Sequence, residues 1–299
     1  MPACYDALSA RLIARSGRFN CAFMSGYGVA ASRMGDPDVG LASLDVMSDA
    51  GRHVCRAAGG TFPIVGDGDT GFGGIANVRR TVLEYHRAGF AGVTVEDQVF
   101  PKRCAFARGM KVVSRAEALV RLAAALEMRD EIRRGGGDIL VVGRTDCRVA
   151  SNVEDGFEEA MWRCAAFADL GCDVVYFEGP DGTAEMEALN ARVTAVPTML
   201  AQVEKPGRPL LSAAECAEVG YDAVLYGLTL LSASAAAVER AIEAMGAGEH
   251  PTAAASTRGG ERSSGEGLLM PFDDLYDAVG FTEHFDLEAR FDPDLFRAE

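Results

Sequence analysis

Histidine is scarce in this chain, and so is positive charge. Four histidines occur in 299 residues, and 29 Lys and Arg stand against 44 Asp and Glu, a formal net charge of −15. That balance argues against a nucleic-acid partner, which needs basic patches over phosphates. It leaves room for a small anionic ligand, because a few local cations or a metal ion reverse the field inside a pocket. No apolar run reaches the ~20 residues of a membrane span. The opening Met1-Pro2-Ala3-Cys4-Tyr5-Asp6 lacks the charged-then-apolar secretory pattern. A cytoplasmic protein without membrane association is the expectation. The eight cysteines (Cys4, Cys21, Cys55, Cys104, Cys147, Cys164, Cys172, Cys216) form no C-x-x-C pair, which suits a reduced compartment without structural zinc. Most lie in apolar patterns and read as small core residues.

What is present is alternation. With 48% hydrophobic and 24% charged residues, the chain has the composition of an ordinary globular protein. Its length suits one large α/β barrel or two ordinary domains. Short apolar runs at Cys21–Ser25, Phe62–Val65, Gly92–Glu96, Ile139–Gly143, Val174–Glu178, Ala195–Ala201 and Ala223–Tyr226 read as strands, each followed by a helical stretch. Ser114-Arg-Ala-Glu117 and Ser212-Ala-Ala-Glu215 read as capping boxes, and Gly89, Gly171 and Gly220 as helix stops. Continuously apolar strands separated by helices imply a parallel sheet buried on both faces. Seven strands are one short of a closed (β/α)8 barrel. The eighth would be a stub running into Tyr5-Asp6, or the true start of the chain lies upstream; the sequence leaves both open. The barrel is expected over residues 1–246, a Gly/Ser-rich linker over 247–267 and an amphipathic helical tail over 268–299, docked on a neighbouring subunit.

Active sites of parallel α/β folds form at the C-terminal strand ends. Here those ends carry Ser25-Gly26-Tyr27-Gly28, Asp67-Gly-Asp69-Thr-Gly-Phe-Gly73, Glu96-Asp97-Gln98, Arg144-Thr-Asp146, Glu178 and Gln202. Several acids on one rim repel unless a cation neutralises them, and an all-oxygen set points to Mg²⁺ or Mn²⁺. Asp67, Asp69 and Glu96 are the candidate ligands. Asp97 and Asp146 read equally as caps or ion-pair partners. His53, His86, His250 and His284 fall outside these segments, so proton transfer falls to carboxylates, Tyr, Lys or Cys. Cys104 stands in Pro101-Lys102-Arg103-Cys104-Ala105-Phe106, where the two flanking cations are expected to favour its thiolate. The run from Pro101 to Val113 reads as a lid that shuts out water.

Together, Tyr5-Asp-Ala-Leu-Ser-Ala10, Ser25-Gly26, Gly35-Asp-Pro-Asp38 with Gly40-Leu41, Asp67 to Gly73, Val95-Glu-Asp-Gln98, Pro101-Lys-Arg-Cys104, Gly143-Arg-Thr-Asp146 and Phe177-Glu-Gly-Pro180 resemble the isocitrate lyase / phosphoenolpyruvate mutase superfamily. The resemblance covers roughly residues 2–240 and the tail helices. It implies a (β/α)8 barrel whose last helix is exchanged between subunits of a homotetramer. It implies Mg²⁺ on Asp67, Asp69 and Glu96 with Asp38 near, and a small carboxylate substrate held by Ser25, Gly26 and Arg144 and touched by Glu178. Lys102, Arg103 and Cys104 would form the gating loop, with Cys104 as proton donor. Tyr27 or a carboxylate-linked water would be the base. Members that cleave C–C bonds carry the loop Cys, as do carboxyphosphoenolpyruvate mutase-like members, whereas phosphonopyruvate mutases and hydrolases generally do not.

The chain departs from that family where Ala105-Phe106 replace Gly-His, where Gln202 replaces an Asn, and in lacking a segment before Pro2. Loss of a hydrogen-bonding ring at Phe106 points to a distal substrate group other than the usual carboxylate. The expectation is a Mg²⁺-dependent carbon–carbon lyase of the 2-methylisocitrate lyase type. The alternatives are a phosphonate P–C mutase or hydrolase, an oxaloacetate hydrolase or decarboxylase, and a barrel that has become a binding subunit.

Overall fold

The computed structural model describes residues 1–208, 210–248, 251, 267 and 269–291. Two compact units divide the chain, Met1–Leu230 and Leu231–Glu299. The first holds eight parallel strands: β1 (Ala3–Cys4), β2 (Ala22–Met24), β3 (Ile64–Asp67), β4 (Gly92–Glu96), β5 (Leu140–Thr145), β6 (Val174–Phe177), β7 (Thr198–Gln202) and β8 (Ala223–Tyr226). Each is hydrogen-bonded to the next in sequence order. A bridge between Pro2 and Tyr226, with Tyr226 N–H donating to Met1 O at 2.9 Å, joins the two ends of the sheet. The fold is a (β/α)8 barrel, and the strand missing from the hydropathy pattern is the two-residue stub β1.

The intervening helices are α1 (Ala7–Arg15), α2 (Gly26–Met34), α3 (Leu44–Ala57), α4 (Ile75–Ala88), α5 (Arg115–Arg134), α6 (Gly156–Leu170), α7 (Thr183–Arg192) and α8 (Ala213–Glu218). Their starts follow local chemistry. The Asp6 carboxylate accepts from Ser9 N in a capping box, Ser25 caps α2, and Ser212 and Glu215 cap α8 reciprocally. At α5 only half of the expected box forms: Ser114 accepts from Glu117 N, while the Glu117 carboxylate pairs with Arg121. Helices α4 and α6 stop at Gly89 and Gly171, both at positive φ.

Alternation along each strand sorts the core into two layers. Outward residues such as Met24, Val141, Val175 and Leu200 meet the helices. Inward residues Ala3, Phe23, Val142, Tyr176, Met199 and Leu225 fill the barrel. Two residues further along the same inward faces stand Ser25, Arg144 and Glu178 after Phe23, Val142 and Tyr176. The packed interior and the polar rim are one periodic face. Strands β3 and β5 consequently extend to Asp67 and Thr145, beyond where hydropathy ended them, because the inward rim positions Asp67 and Arg144 are polar while the backbone pairing continues; β7 runs to Gln202.

The second unit carries most of α9 (Thr229–Gly246), then α10 (Phe272–Val279) and α11 (Phe281–Phe291). Gly280, at φ 99°, separates the last two, and Tyr276 stacks on Phe281 at 4.0 Å between ring centroids. Apolar side chains Phe272, Leu275, Leu287 and Phe291 are exposed. The linker expected over 247–267 lies, apart from residues 247, 248, 251 and 267, outside the described residues.

One glycine tests the packing of strand on helix. A Cβ on Gly66 would stand 2.6 Å from Tyr85 Cε1 and 2.8 Å from Phe90 Cε1, within a ring pair stacked at 4.7 Å. Gly66→Ala should lower stability by ~1–3 kcal/mol, as overpacking does, read as a fall in the urea midpoint with an unchanged slope.

Candidate active site

At the C-terminal strand ends lies a cavity of about 80 Å³. It is lined by the polar residues Ser25, Tyr27, Asp38, Asp67, Glu96, Lys102, Arg144 and Glu178 and by the apolar residues Phe23, Ala105, Phe106, Val203, Leu225 and Leu228. A larger hollow of about 830 Å³ runs along Val99–Lys111 and is lined by loop residues alone apart from Val39 and Gln98. It contains none of the rim acids, so the smaller cavity is the one with chemistry.

The rim acids are held by backbone as much as by charge. Asp67 Oδ2 accepts from Gly26 N at 3.1 Å, and its Oδ1 accepts from Asp69 N and Thr94 Oγ1, both at 3.3 Å. Gly26 is required there: a Cβ would sit 2.9 Å from Asp67 Oδ2 and 3.2 Å from Asp69 Oδ1. Asp69 adopts φ 48°, a left-handed conformation uncommon outside glycine. Lys102 Nζ reaches in from the loop to Asp38 Oδ1 at 2.5 Å and Asp69 Oδ1 at 2.8 Å.

Burial pushes the Asp67 carboxyl up, but Lys102, Arg144 and the Gly26 and Asp69 amides outweigh it and hold it below its ordinary value. Burial raises Asp69 to about 7, with Lys102 opposing and Asp67 and Asp38 adding to the rise. Burial also lifts Glu96 well above the carboxylate range, against the pull of Arg144. Lys102 would be lowered by burial, yet the four surrounding acids, Asp69 first, keep it firmly protonated. Glu96 Oε1 and Glu178 Oε1 are buried without a hydrogen-bond partner. Negative charge exceeds what Lys102 and Arg144 neutralise.

An all-oxygen donor set with an unpartnered buried carboxylate oxygen fits a hard divalent cation. In this closed arrangement, however, Lys102 is the cation between Asp38 and Asp69. Among the described residues no three His, Cys, Asp or Glu side chains converge as a ready ligand set. Asp67, Asp69 and Glu96 are brought to one rim, as the sequence predicts, but a metal ion would have to take Asp69 from Lys102.

Arg144 completes the charged lining. Its Nε and Nη2 donate to Asp146 at 2.7 and 3.1 Å, it pairs with Glu96 at 3.3 Å and Glu178 at 3.4 Å, and its guanidinium lies 4.9 Å from the Tyr176 ring centre. Behind it, Asp97 accepts from Thr145 Oγ1 (2.5 Å), Asp146 N (3.0 Å) and Arg163 Nη1 (3.0 Å). Asp97 and Asp146 are therefore ion-pair partners rather than ligands.

Two sequence expectations need correction. Cys104 is no thiolate: burial pushes its thiol up and Asp38 adds to this, outweighing the Phe106 amide, Lys102 and Arg144. Lys102 is turned inward to Asp38 and Asp69, and Arg103 turns outward to Arg108 O. Gln202 does not face the central cavity; its Nε2 donates to Leu211 O and its Oε1 accepts from Leu211 N. Ser25 Oγ is engaged by Gly28 N at 3.2 Å, and the Gly26 amide by Asp67. Tyr27 lines the mouth, 37% exposed. His53 and His86 lie on α3 and α4 and His284 on α11, with His250 outside the described residues.

Sequence reasoning missed Tyr176, whose hydroxyl donates to Glu178 Oε2; its position two residues before Glu178 on one strand face was the available signal. It also missed the pair flanking Phe106. Lys205 Nζ stands 4.8 Å and Arg208 Cζ 5.6 Å from the ring centre.

The profile of the family described as phosphoenolpyruvate phosphomutase matches residues 1–246. The chain is 37% identical to a 2,3-dimethylmalate lyase of Eubacterium barkeri over 225 residues, 75% of this chain and 73% of that one. It is 33% identical to the chloroplastic carboxyvinyl-carboxyphosphonate phosphorylmutase of Arabidopsis thaliana over 291 residues, 97% of this chain and 80% of the other. A solved structure of oxaloacetate acetylhydrolase with the inhibitor 3,3-difluorooxalacetate superposes with a TM-score of 0.81 at 31% identity, covering 96% of this chain and 90% of that one.

Removing the Lys102 ammonium tests the charge balance. Lys102→Ala should cost ~3 kcal/mol at pH 8, because it strands buried carboxylates. The loss should be smaller at pH 6, below the value of about 7 for Asp69, where that group takes up a proton. Denaturation midpoints at the two pH values check this.

Proposed function

The chain belongs to the phosphoenolpyruvate phosphomutase family of the isocitrate lyase / phosphoenolpyruvate mutase superfamily, and from that premise we propose that it is a carbon–carbon lyase for a small 2-hydroxy- or 2-oxo-carboxylate, of the 2-methylisocitrate lyase type. The observation that carries this reading is that a buttressed guanidinium, Arg144, and the loop thiol of Cys104 line one cavity together with Asp67 and Glu96.

Arg144 takes the substrate carboxylate, with Ser25 at the start of α2 lining the same cavity. Asp67, Asp69 and Glu96 would hold Mg²⁺, or Mn²⁺, with Asp38 near. That ion, when bound, supplies Lewis-acid stabilisation of negative charge developing on substrate oxygen. Tyr27, or a water held by a carboxylate, takes the hydroxyl proton. The electrons of the breaking C–C bond leave on the departing fragment, and Cys104 Sγ gives that carbon its proton. A thiol that keeps its proton at neutral pH suits this role better than a thiolate. Lys102 and Arg103 carry Cys104 in on the loop, whose Cys104 N–H donates to Asp38 O at 2.8 Å.

Phe106 lines the cavity with the apolar residues Ala105, Val203, Leu225 and Leu228, while Lys205 and Arg208 stand against its ring. An uncharged distal substituent fits it. The exposed apolar face of α10 and α11 would pack on a second copy in a homotetramer. Eight free cysteines suit a cytoplasmic setting. Phosphonate P–C chemistry is the second reading, favoured by the match along 97% of the chain to a phosphorylmutase.

Turnover of 2-methylisocitrate, dimethylmalate, oxaloacetate and phosphonopyruvate, each with Mg²⁺, separates the readings; a chain active only on phosphonopyruvate would overturn the lyase. Cys104→Ser should reduce kcat by ~10²-fold or more, the contribution of a positioned proton donor, while keeping the thermal shift given by Mg²⁺ with oxalate. Unchanged kcat removes Cys104 from the reaction. The Mg²⁺-induced rise in Tm should be larger at pH 8 than at pH 6, because Asp69, raised to about 7, must lose its proton to act as a ligand.

A further inference from the structure

Gln98 follows Glu96 and Asp97 at the end of β4, is 1% exposed, and takes no part in the reaction as derived. Its carboxamide makes three bonds. Nε2 donates to Arg103 O at 2.9 Å and to Asp146 Oδ2 at 2.5 Å, and Oε1 accepts from Arg103 N at 2.9 Å. Its backbone carbonyl is held by Arg121 Nη1 at 2.8 Å, so the residue is anchored to the barrel wall. One end of the amide thus grips the loop residue next to Cys104. Its Nε2 also grips the carboxylate that accepts from both Nε and Nη2 of Arg144.

The amide can do this in one orientation only. Rotated by half a turn, its oxygen would face the Arg103 carbonyl and the Asp146 carboxylate, and its NH2 would face the Arg103 N–H. The peptide of Arg103 therefore dictates where Nε2 points, and Nε2 adds a second donor to Asp146 Oδ2, the oxygen that also accepts from Arg144 Nη2. With Arg103 withdrawn, that orientation loses two of its three bonds and the carboxamide is free to turn.

We propose that Gln98 is a positioning residue that couples closure of the Pro101–Val113 loop to the setting of Arg144, so that the guanidinium is fully aligned only when Cys104 is in place. This rests on the reading above in which Arg144 grips the carboxylate and the loop gates the cavity. Loop closure and anion binding then favour each other by equal factors.

The test uses the full chain and oxalate with Mg²⁺ as the probe. Arg103 and Arg108 are exposed loop sites for trypsin, and their cleavage, followed by mass, reports loop opening. In the wild type, oxalate should slow that cleavage. In Gln98→Leu the ratio of cleavage rates without and with saturating oxalate should fall at least ~tenfold, and oxalate affinity should fall by a similar factor, the scale of one coupling interaction. A merely structural role would speed cleavage in both states and leave the ratio unchanged; that result, or wild-type oxalate affinity in the variant, overturns the coupling. Gln98→Glu keeps an acceptor for Arg103 N and replaces the donor facing Asp146 with an anion. It should lose affinity and protection alike, and serves if the leucine variant does not fold. A wild-type chain that oxalate neither binds nor protects overturns the carboxylate reading itself, and the coupling with it.

Discussion

Too many buried carboxylates for the available cations is the constraint on which this structure turns. Asp38, Asp67, Asp69, Glu96, Asp146 and Glu178 gather around Lys102 and Arg144. Burying uncompensated charge is among the costliest things a fold can do. The rim meets that cost in three ways. It donates backbone amides to Asp67, draws a loop ammonium onto Asp38 and Asp69, and lifts Asp69 and Glu96 toward their neutral forms. A surface salt-bridge network would need none of these. A site that accepts a cation and an anionic ligand together needs a surplus of donors and a place where the surplus is tolerated until they arrive.

The barrel supplies that place by continuing its own periodicity. The inward face that packs Phe23, Val142 and Tyr176 against one another carries Ser25, Arg144 and Glu178 two residues later. The rigid, close-packed layer below therefore sets the positions of the polar layer above. The registry is explicit where it matters most: Glu96 and Arg144 are direct Cα partners across β4 and β5. Their side chains meet because adjacent parallel strands place like-numbered inward positions side by side.

How much of this was legible in the sequence follows from what each signal measures. Apolar runs located seven strands, and capping boxes located the helix starts at Ser114 and Ser212, because periodicity and capping are local. The stub β1 is invisible to that test: two residues give no period, and only pairing with β2 and with Tyr226 makes them a strand. The rim acids and Arg144 were readable as residue types at strand ends. What they do to each other was not, since it depends on Lys102 crossing from a loop to Asp69. Flanking cations suggested a thiolate at Cys104; the fold turns Lys102 to Asp38 and Arg103 to Arg108 O and leaves Cys104 half-buried, which pushes its thiol up. Gln202 and Gln98 look alike in sequence, each a Gln at a strand end. One closes a turn on Leu211 and the other joins the loop to Asp146. Hydrogen-bond partners of a carboxamide are long-range facts that no spacing encodes.

In the proposed lyase, a thiol that shares one cavity with a buttressed guanidinium has a consequence for water. A general acid is useful only if the carbanion takes its proton rather than one from solvent, and a buried carboxylate cluster keeps its perturbed acidities only while solvent stays out. Both conditions are met by the same element. The loop that brings Cys104 also carries Lys102 to the acids and adds Ala105 and Phe106 to the apolar lining of the cavity. Phe106 is in turn backed by Lys205 and Arg208, and Arg208 Nη1 is itself tied to the Gly179 and Pro180 carbonyls. Phe106 has no ring nitrogen with which to hydrogen-bond, and it adds apolar surface to the cavity. The sequence departure at Ala105-Phe106 is thus better understood as a change in what the closed cavity admits than as decay of the site, because the charged lining, with its paired and anchored groups, is intact.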